Sequence, residues 1–143
     1  MTIRIASTDI EIADCWPVMR ELRPHIAESE FVARVRSQER ASYVLAFAQA
    51  RDSIVAVAGF RVGENLAWGR FLYVDDLVTR PDMRSQGHGA RMLAWLGDYA
   101  ARAGCVQLHL DSGIQRKDAH RFYQREGLTM TSYHFSQPRP DHA

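Results

Sequence analysis

The stretch Leu77-Val78-Thr79-Arg80-Pro81-Asp82-Met83-Arg84-Ser85-Gln86-Gly87-His88-Gly89-Ala90 decides the fold. An apolar run ends at Thr79, Pro81 stops it, and a glycine-bearing turn opens a helix predicted over 87–103. A helix that starts there leaves its first N–H groups without intrahelical partners. Gly87 and Gly89 carry no Cβ, so a ligand can approach the backbone closely. Aligned N–H dipoles at such a terminus suit a phosphate or pyrophosphate, and Arg80 and Arg84 add charge beside them. Glycine at a helix start also serves packing alone, so the turn by itself leaves both roles open. Two nucleotide motifs fail on these residues. A Walker A loop needs GxxxxGK followed by Ser or Thr, which is absent, and a Rossmann fingerprint needs a third glycine where Met92 stands.

Upstream, residues 68–79 read as a strand holding Phe71-Leu72-Tyr73-Val74 and interrupted by Asp75-Asp76. Before it, two β-rich runs, 43–49 and 54–62, flank Ala50-Arg51-Asp52-Ser53, which is a hairpin signature. Ile3-Arg4-Ile5 is a short first strand. Residues 9–22 have helical spacing, capped by Thr8 or Asp9 and kinked or split at Pro17, and a second helix covers 29–40. Downstream, the 87–103 helix turns Met92, Leu93, Leu96, Ala100 and Ala103 to a core, with Arg91, Trp95, Asp98 and Arg102 outside. Trp95 on that outer stripe is a candidate contact for a possible homodimer. A strand follows over 105–111, with Gln107, His109 and Asp111 on one face. A last helix over 116–125 stops at Gly127, a final strand is predicted over 129–135, and 136–143 form a loose tail. The order βααβββαβαβ, hairpins plus one parallel crossover, makes a single α/β (α+β) domain over residues 1–143.

The chain has 143 residues, 46% of them hydrophobic, which suits one packed domain and excludes disorder. A net charge of +1 argues against a chain that coats nucleic acid or adsorbs to membranes. That charge is unevenly spread: residues 1–79 sum to −2, 80–125 to +4 and 126–143 to −1. Cys15 and Cys105 make no disulfide framework, and neither they nor His109 form a metal site. With no leader pattern and no long apolar run, the expected location is the cytoplasm.

A second motif stands downstream of the turn: Ala119-His120-Arg121-Phe122-Tyr123-Gln124-Arg125-Glu126-Gly127-Leu128. With Arg84-x-x-Gly87-x-Gly89 after a Leu-Val-Thr strand end, it resembles the two signatures of the GNAT superfamily of N-acyltransferases, with Leu128 for the usual Phe. The resemblance covers nearly the whole chain. It implies a mixed, mainly antiparallel central sheet with helices on both faces, splayed at the cofactor-binding strands. It also implies acetyl-CoA as co-substrate. Backbone groups of Leu77, Val78 and Thr79 would pair with the pantetheine arm. Backbone N–H groups of Ser85, Gln86, Gly87, His88, Gly89 and Ala90, with Arg84, would hold the pyrophosphate. The pattern departs at Arg116, where members often carry an asparagine that contacts the cofactor; arginine can reach a phosphate.

By the same resemblance Tyr123 is the general acid that protonates the departing thiolate. As plain structure it would be a core aromatic beside Phe122. Asp75 and Asp76 match an acidic pair of polyamine acetyltransferases, Asp75 drawing the amine's proton through water and Asp76 supporting it or the substrate's charge. Adjacent residues of a regular strand point to opposite faces, so a bulge is needed to bring both to one cleft. The other option for the pair is a set of bonds to local arginines. His109 and Asp111 are candidates to line the cleft, His109 also as an alternative base, and Trp16, His25 and Phe31 border the acceptor side or pack the core. The expected activity is transfer of acetyl from acetyl-CoA to a primary amine of a small, cationic molecule. The alternative is a catalytically silent acyl-CoA sensor or partner-binding module.

Overall fold

The computed structural model describes residues 1–142. They fall into two compact units, Met1–Leu110 and a second that starts at Asp111. The first unit is built on a five-stranded sheet in the order β1-β2-β3-β4-β5. Its strands are β1 (Thr2–Ile5), β2 (Tyr43–Ala50), β3 (Ser53–Asn65), β4 (Gly69–Thr79) and β5 (Gln107–Leu110). β1 to β4 pair antiparallel in sequence order, and β5 joins β4 in parallel. The sheet is therefore mixed and mainly antiparallel.

Helices cover both faces. On one lie α1 (Asp9–Asp14), α2 (Trp16–Met19) and α3 (Glu28–Glu39), packing Ile12, Val18, Met19, Phe31 and Val35 on Tyr43, Leu45, Phe47, Val57 and Val78. The predicted 9–22 helix is split at Cys15, and Pro17 sits in the first turn of α2, where its missing N–H costs no helical bond. Thr8 caps α1 in a reciprocal box with Glu11. Phe31 belongs to the core. Trp16 packs against that core and donates its indole N–H to Ile26 O at 3.0 Å, and His25 is exposed.

On the other face lies α4 (His88–Arg102), with Met92 and Leu96 fully buried. Trp95 differs from its expected outward position. It is half-buried, edge-on to Phe60 of β3 at 6.0 Å between centroids, beside Tyr99 at 5.6 Å. An indole is too large for one stripe of a helix, so it leans onto the nearest aromatic of the sheet.

The parallel ladder between β4 and β5 runs from Phe71↔Gln107 to Val74↔Leu110 and stops. β4 continues to Thr79, still paired to β3 on its other side. Among the described residues no strand pairs with the remaining edge of β4 from Asp75 to Thr79. This is the splay that the motif implied.

The second unit carries α5 (Lys117–Arg125), whose end is closed by a bond from Leu128 N–H to Tyr123 O at 2.9 Å. The predicted strand over 129–135 does not form. A strand needs a partner edge for its N–H and C=O groups, and among the described residues none pairs with this segment. Met130, Tyr133 and Phe135 stand exposed. Among the described residues no helix is long and apolar enough to cross a membrane.

Candidate active site

The centre of the first unit's site is a defect in the β3–β4 ladder. Gly59 pairs with Asp76 and Phe60 with Val74, so Asp75 is an extra residue on β4. This bulge re-aims the strand. Asp75 meets Arg61 and Asp76 meets Tyr43, and Tyr43 and Arg61 are themselves cross-strand partners. Both carboxylates therefore reach the α1–α3 face, which a regular strand forbids.

Neither arrives alone. Arg61 grips Asp75 side-on, Nε to Oδ2 and Nη2 to Oδ1, each at 3.0 Å. Arg23, in the segment between α2 and α3, donates Nε to Asp76 Oδ1 at 2.8 Å and Nη2 to the main-chain oxygen of Asp75 at 2.9 Å. The Tyr43 phenol donates to Asp76 Oδ2 at 2.8 Å. Burial, reinforced by the Asp76 charge, pushes that phenol well above its ordinary value, so it stays protonated and remains a donor. Two carboxylates and two guanidiniums thus form a neutral network around the bulge. A charged pair held this way satisfies its lone pairs without a bare buried charge.

Gly59 makes the arrangement possible. The Tyr43 ring lies across it, and a Cβ at this position would stand 1.7 Å from Tyr43 Oη. Sequence reasoning singled out neither Tyr43, Arg23, Arg61 nor Gly59. One signal was available: an isolated glycine within an apolar strand marks a bulge or a close backbone approach.

The turn after β4 has the predicted form. A short 3-10 turn over Pro81–Met83 leads through Ser85 (φ 64) to Gly87 (φ 81), which caps α4. A side chain at Gly87 would have open space around it, so the left-handed backbone is what calls for glycine. The first bond of the helix runs from Arg91 N–H to Gly87 O at 3.0 Å. No side chain caps the terminus, so the N–H groups of His88, Gly89 and Ala90 are open to a ligand. Arg80 is tied side-on to Asp82 at 3.0 and 2.6 Å, and Arg84 is the exposed arginine inside the turn. The His88 ring is buried, with Nδ1 3.1 Å from Met1 Sδ. Together, the unpaired edge at Leu77, Val78 and Thr79 and the open terminus fit an extended amide-bearing chain that ends in a pyrophosphate.

His109 is held by its neighbours. Its ring stacks on Trp68 at 3.4 Å between centroids, and Nε2 lies 2.5 Å from Gln107 Oε1. β5 ends at Leu110, so Asp111 falls beyond it, in the second unit, 3.6 Å from His134 Nδ1. In that unit Tyr123 is buried in α5 beside Phe122, and burial raises its phenol while Arg116 opposes the shift. A phenol so placed is protonated at neutral pH, as a proton donor must be. Arg116 stands at the N-terminus of α5. Among the described residues no group of His, Cys, Asp and Glu is arranged to hold a metal ion.

Comparison with known proteins gives the family and the fold. The model of the acetyltransferase (GNAT) family matches residues 8–128. The chain is 36% identical over 130 residues to the uncharacterized N-acetyltransferase YhdJ of Bacillus subtilis, covering 90% of this chain and 92% of that one. Over 64 residues it is 41% identical to the aminoalkylphosphonate N-acetyltransferase of Salmonella typhimurium, a match that spans 45% of this chain and 42% of the relative. Among solved structures, AAC(6')-Iy in complex with a bisubstrate analogue, CoA-S-monomethyl-acetylneamine, has the same fold. The TM-score is 0.85 at 13% identity, over 96% of this chain and 97% of that one.

Proposed function

This chain belongs to the GNAT acetyltransferase family and is an acyl-CoA-dependent N-acyltransferase, and we propose that it moves acetyl from acetyl-CoA directly to a primary amine of a small, cationic molecule. The observation that carries this is the run of unpaired β4 edge into the open N-terminus of α4. Main-chain groups of Leu77, Val78 and Thr79 receive the pantetheine amides. The N–H groups from Ser85 to Ala90, with Arg84, receive the pyrophosphate, and by the family resemblance Arg116 of the second unit is a further candidate for a phosphate. In this reading the thioester carbonyl lies near the bulge, which directly precedes Leu77 on β4.

The amine attacks that carbonyl, a C–N bond forms, and the C–S bond breaks. Asp75 takes the amine's proton through a water, and Asp76 supports it from the Tyr43 and Arg23 side. By the resemblance of Ala119–Leu128 to the family's second signature, Tyr123 would give its phenolic proton to the departing thiolate and recover one from solvent. His109 in the first unit is a candidate for the acceptor side, and Asp111 in the second unit a separate one. Tyr123→Phe should lower kcat about 100-fold while acetyl-CoA affinity holds, and an unchanged kcat removes Tyr123 from the mechanism. A bulky residue at Gly89 should abolish acetyl-CoA binding, and retained affinity would remove the cradle.

A second acceptor class has an observation behind it. The Salmonella relative is named for aminoalkylphosphonates, amines that carry an anion. The neutral network at the bulge also offers guanidiniums as well as carboxylates. A thiol-release assay across diamines, aminoglycosides and aminoalkylphosphonates separates the two.

A further inference from the structure

We propose that Arg61 is a specificity residue that holds the place of the cationic amine: it occupies Asp75 in the resting protein and yields that carboxylate to the incoming ammonium. The proposal rests on Asp75 as the amine-facing carboxylate.

The two arginines at the bulge do different work. Arg23 binds the Asp76 side chain and the Asp75 main-chain oxygen, so it fixes the backbone of the bulge. Both Asp76 oxygens are committed, one to Arg23 and one to Tyr43. A new cation at Asp76 would have to share the carboxylate with Arg23 and with the buried Tyr43 phenol. Asp75 is different. Its two oxygens are held by Arg61 alone among the side-chain bonds at the bulge, and the Arg61 side chain is 44% exposed. When Arg61 swings into solvent, Asp75 keeps its position through the Arg23 bond to its own carbonyl and offers both oxygens to the incoming cation.

The exchange is affordable because the pair is near the surface. A side-on pair that is partly exposed stands at the upper end of the range for surface pairs, about 1 kcal/mol or about fivefold in an equilibrium constant. An ammonium donating to the same carboxylate can repay that amount. A neutral acceptor cannot, and an anionic one meets a carboxylate. Arg61 thus discriminates by requiring that its own charge be replaced.

The test uses the full chain, wild type and Arg61→Gln, with propane-1,3-diamine and 2-aminoethylphosphonate as acceptors. Arg61→Gln should lower the KM of the diamine about three- to fivefold, while the KM of acetyl-CoA holds. Arg61→Lys, which keeps the charge but loses the side-on grip, should fall between them. Calorimetric titration with the diamine should show the same tightening without turnover. If the diamine binds more tightly in Arg61→Gln yet no amine is acetylated, the proposal stands and the acceptor assignment above fails. A diamine KM or affinity that is unchanged or weaker in Arg61→Gln overturns the proposal. So does a selective rise in KM for 2-aminoethylphosphonate, which would make Arg61 an anion-binding residue.

Discussion

Gly59→Ala is the sharpest test of the bulge. The added methyl would stand 1.7 Å from Tyr43 Oη, 2.3 Å from Cζ and 2.6 Å from Cε1. The backbone at Gly59 is held on both sides, by Leu45 of β2 and Asp76 of β4, so the ring must move. A displaced ring loses its 2.8 Å bond to Asp76 and disturbs the core beneath α1–α3. Overpacking costs about 1–3 kcal/mol. Losing a hydrogen bond to a charged group costs about 1.5–3 kcal/mol. Alanine recovers roughly 0.5–1 kcal/mol that glycine loses in a strand. One movement causes both losses, so they overlap, and the net is about 3 kcal/mol, or about 10 °C in melting temperature. Urea unfolding measures it. Tyr43→Leu supplies the control, because leucine lacks the three atoms in conflict. In that background Gly59→Ala should cost less than about 0.5 kcal/mol, and the coupling between the two sites should exceed about 2 kcal/mol. Equal costs in both backgrounds would refute the contact.

Tyr43→Phe removes only the bond to Asp76 and should destabilise the chain by about 1.5–3 kcal/mol near neutral pH. Because the folded state raises this phenol above its ordinary 10.0, the advantage of wild type over Tyr43→Phe is full below pH 10 and shrinks above it. Urea midpoints from pH 8 to 11 check this, and a gap that widens with pH would contradict it. Burial pushes the Cys15 thiol up to about 12, helped by the Asp14 and Glu11 charges, whereas Cys105 is only partly buried. A thiol reagent at pH 8 should modify Cys105 in the native chain and reach Cys15 only on unfolding, as peptide mapping would show; matched rates would place Cys15 at the surface.

What the sequence carried locally it carried well. The alternation in β2 to β4, Thr8 before Ile12, Pro17 in the first helix and the turn ending at Gly87 each act within a few residues, and each reads directly. The acidic pair Asp75-Asp76 marked where a strand had to deform, and the bulge is there. Its partners were not legible, since Arg23 and Tyr43 lie 53 and 33 residues from Asp76. Nothing local distinguishes them from other arginines and tyrosines. Residues 129–135 show the converse failure. Their β-rich composition is a local property, while a strand exists only if an edge accepts it. Trp95 was assigned by helical period alone, and the aromatic that captures it, Phe60, comes from another strand.

Charge shows the same divide between chain and space. Residues 1–79 sum to −2, and Asp75-Asp76 stand near the end of that acidic stretch. Yet Arg23 and Arg61, both from that stretch, neutralise Asp75 and Asp76. Residues 80–125 sum to +4, but at the cradle Arg80 is spent on Asp82. What an anion meets at α4 is therefore a set of oriented N–H groups and Arg84, a directional site more than a charged one. What a cation meets at the bulge is a carboxylate that already has a partner. Discrimination in such a site depends on which of its ion pairs can open. The partners decide it, since the two arginines are similarly exposed, Arg61 44% and Arg23 39%: Asp75 is held at its side chain by Arg61 alone, and Asp76 is held also by a phenol that burial keeps protonated. The pair that can open is the one with a single side-chain partner, and the pair that holds is the one tied to Tyr43 and to the arginine that also grips the main chain of the bulge.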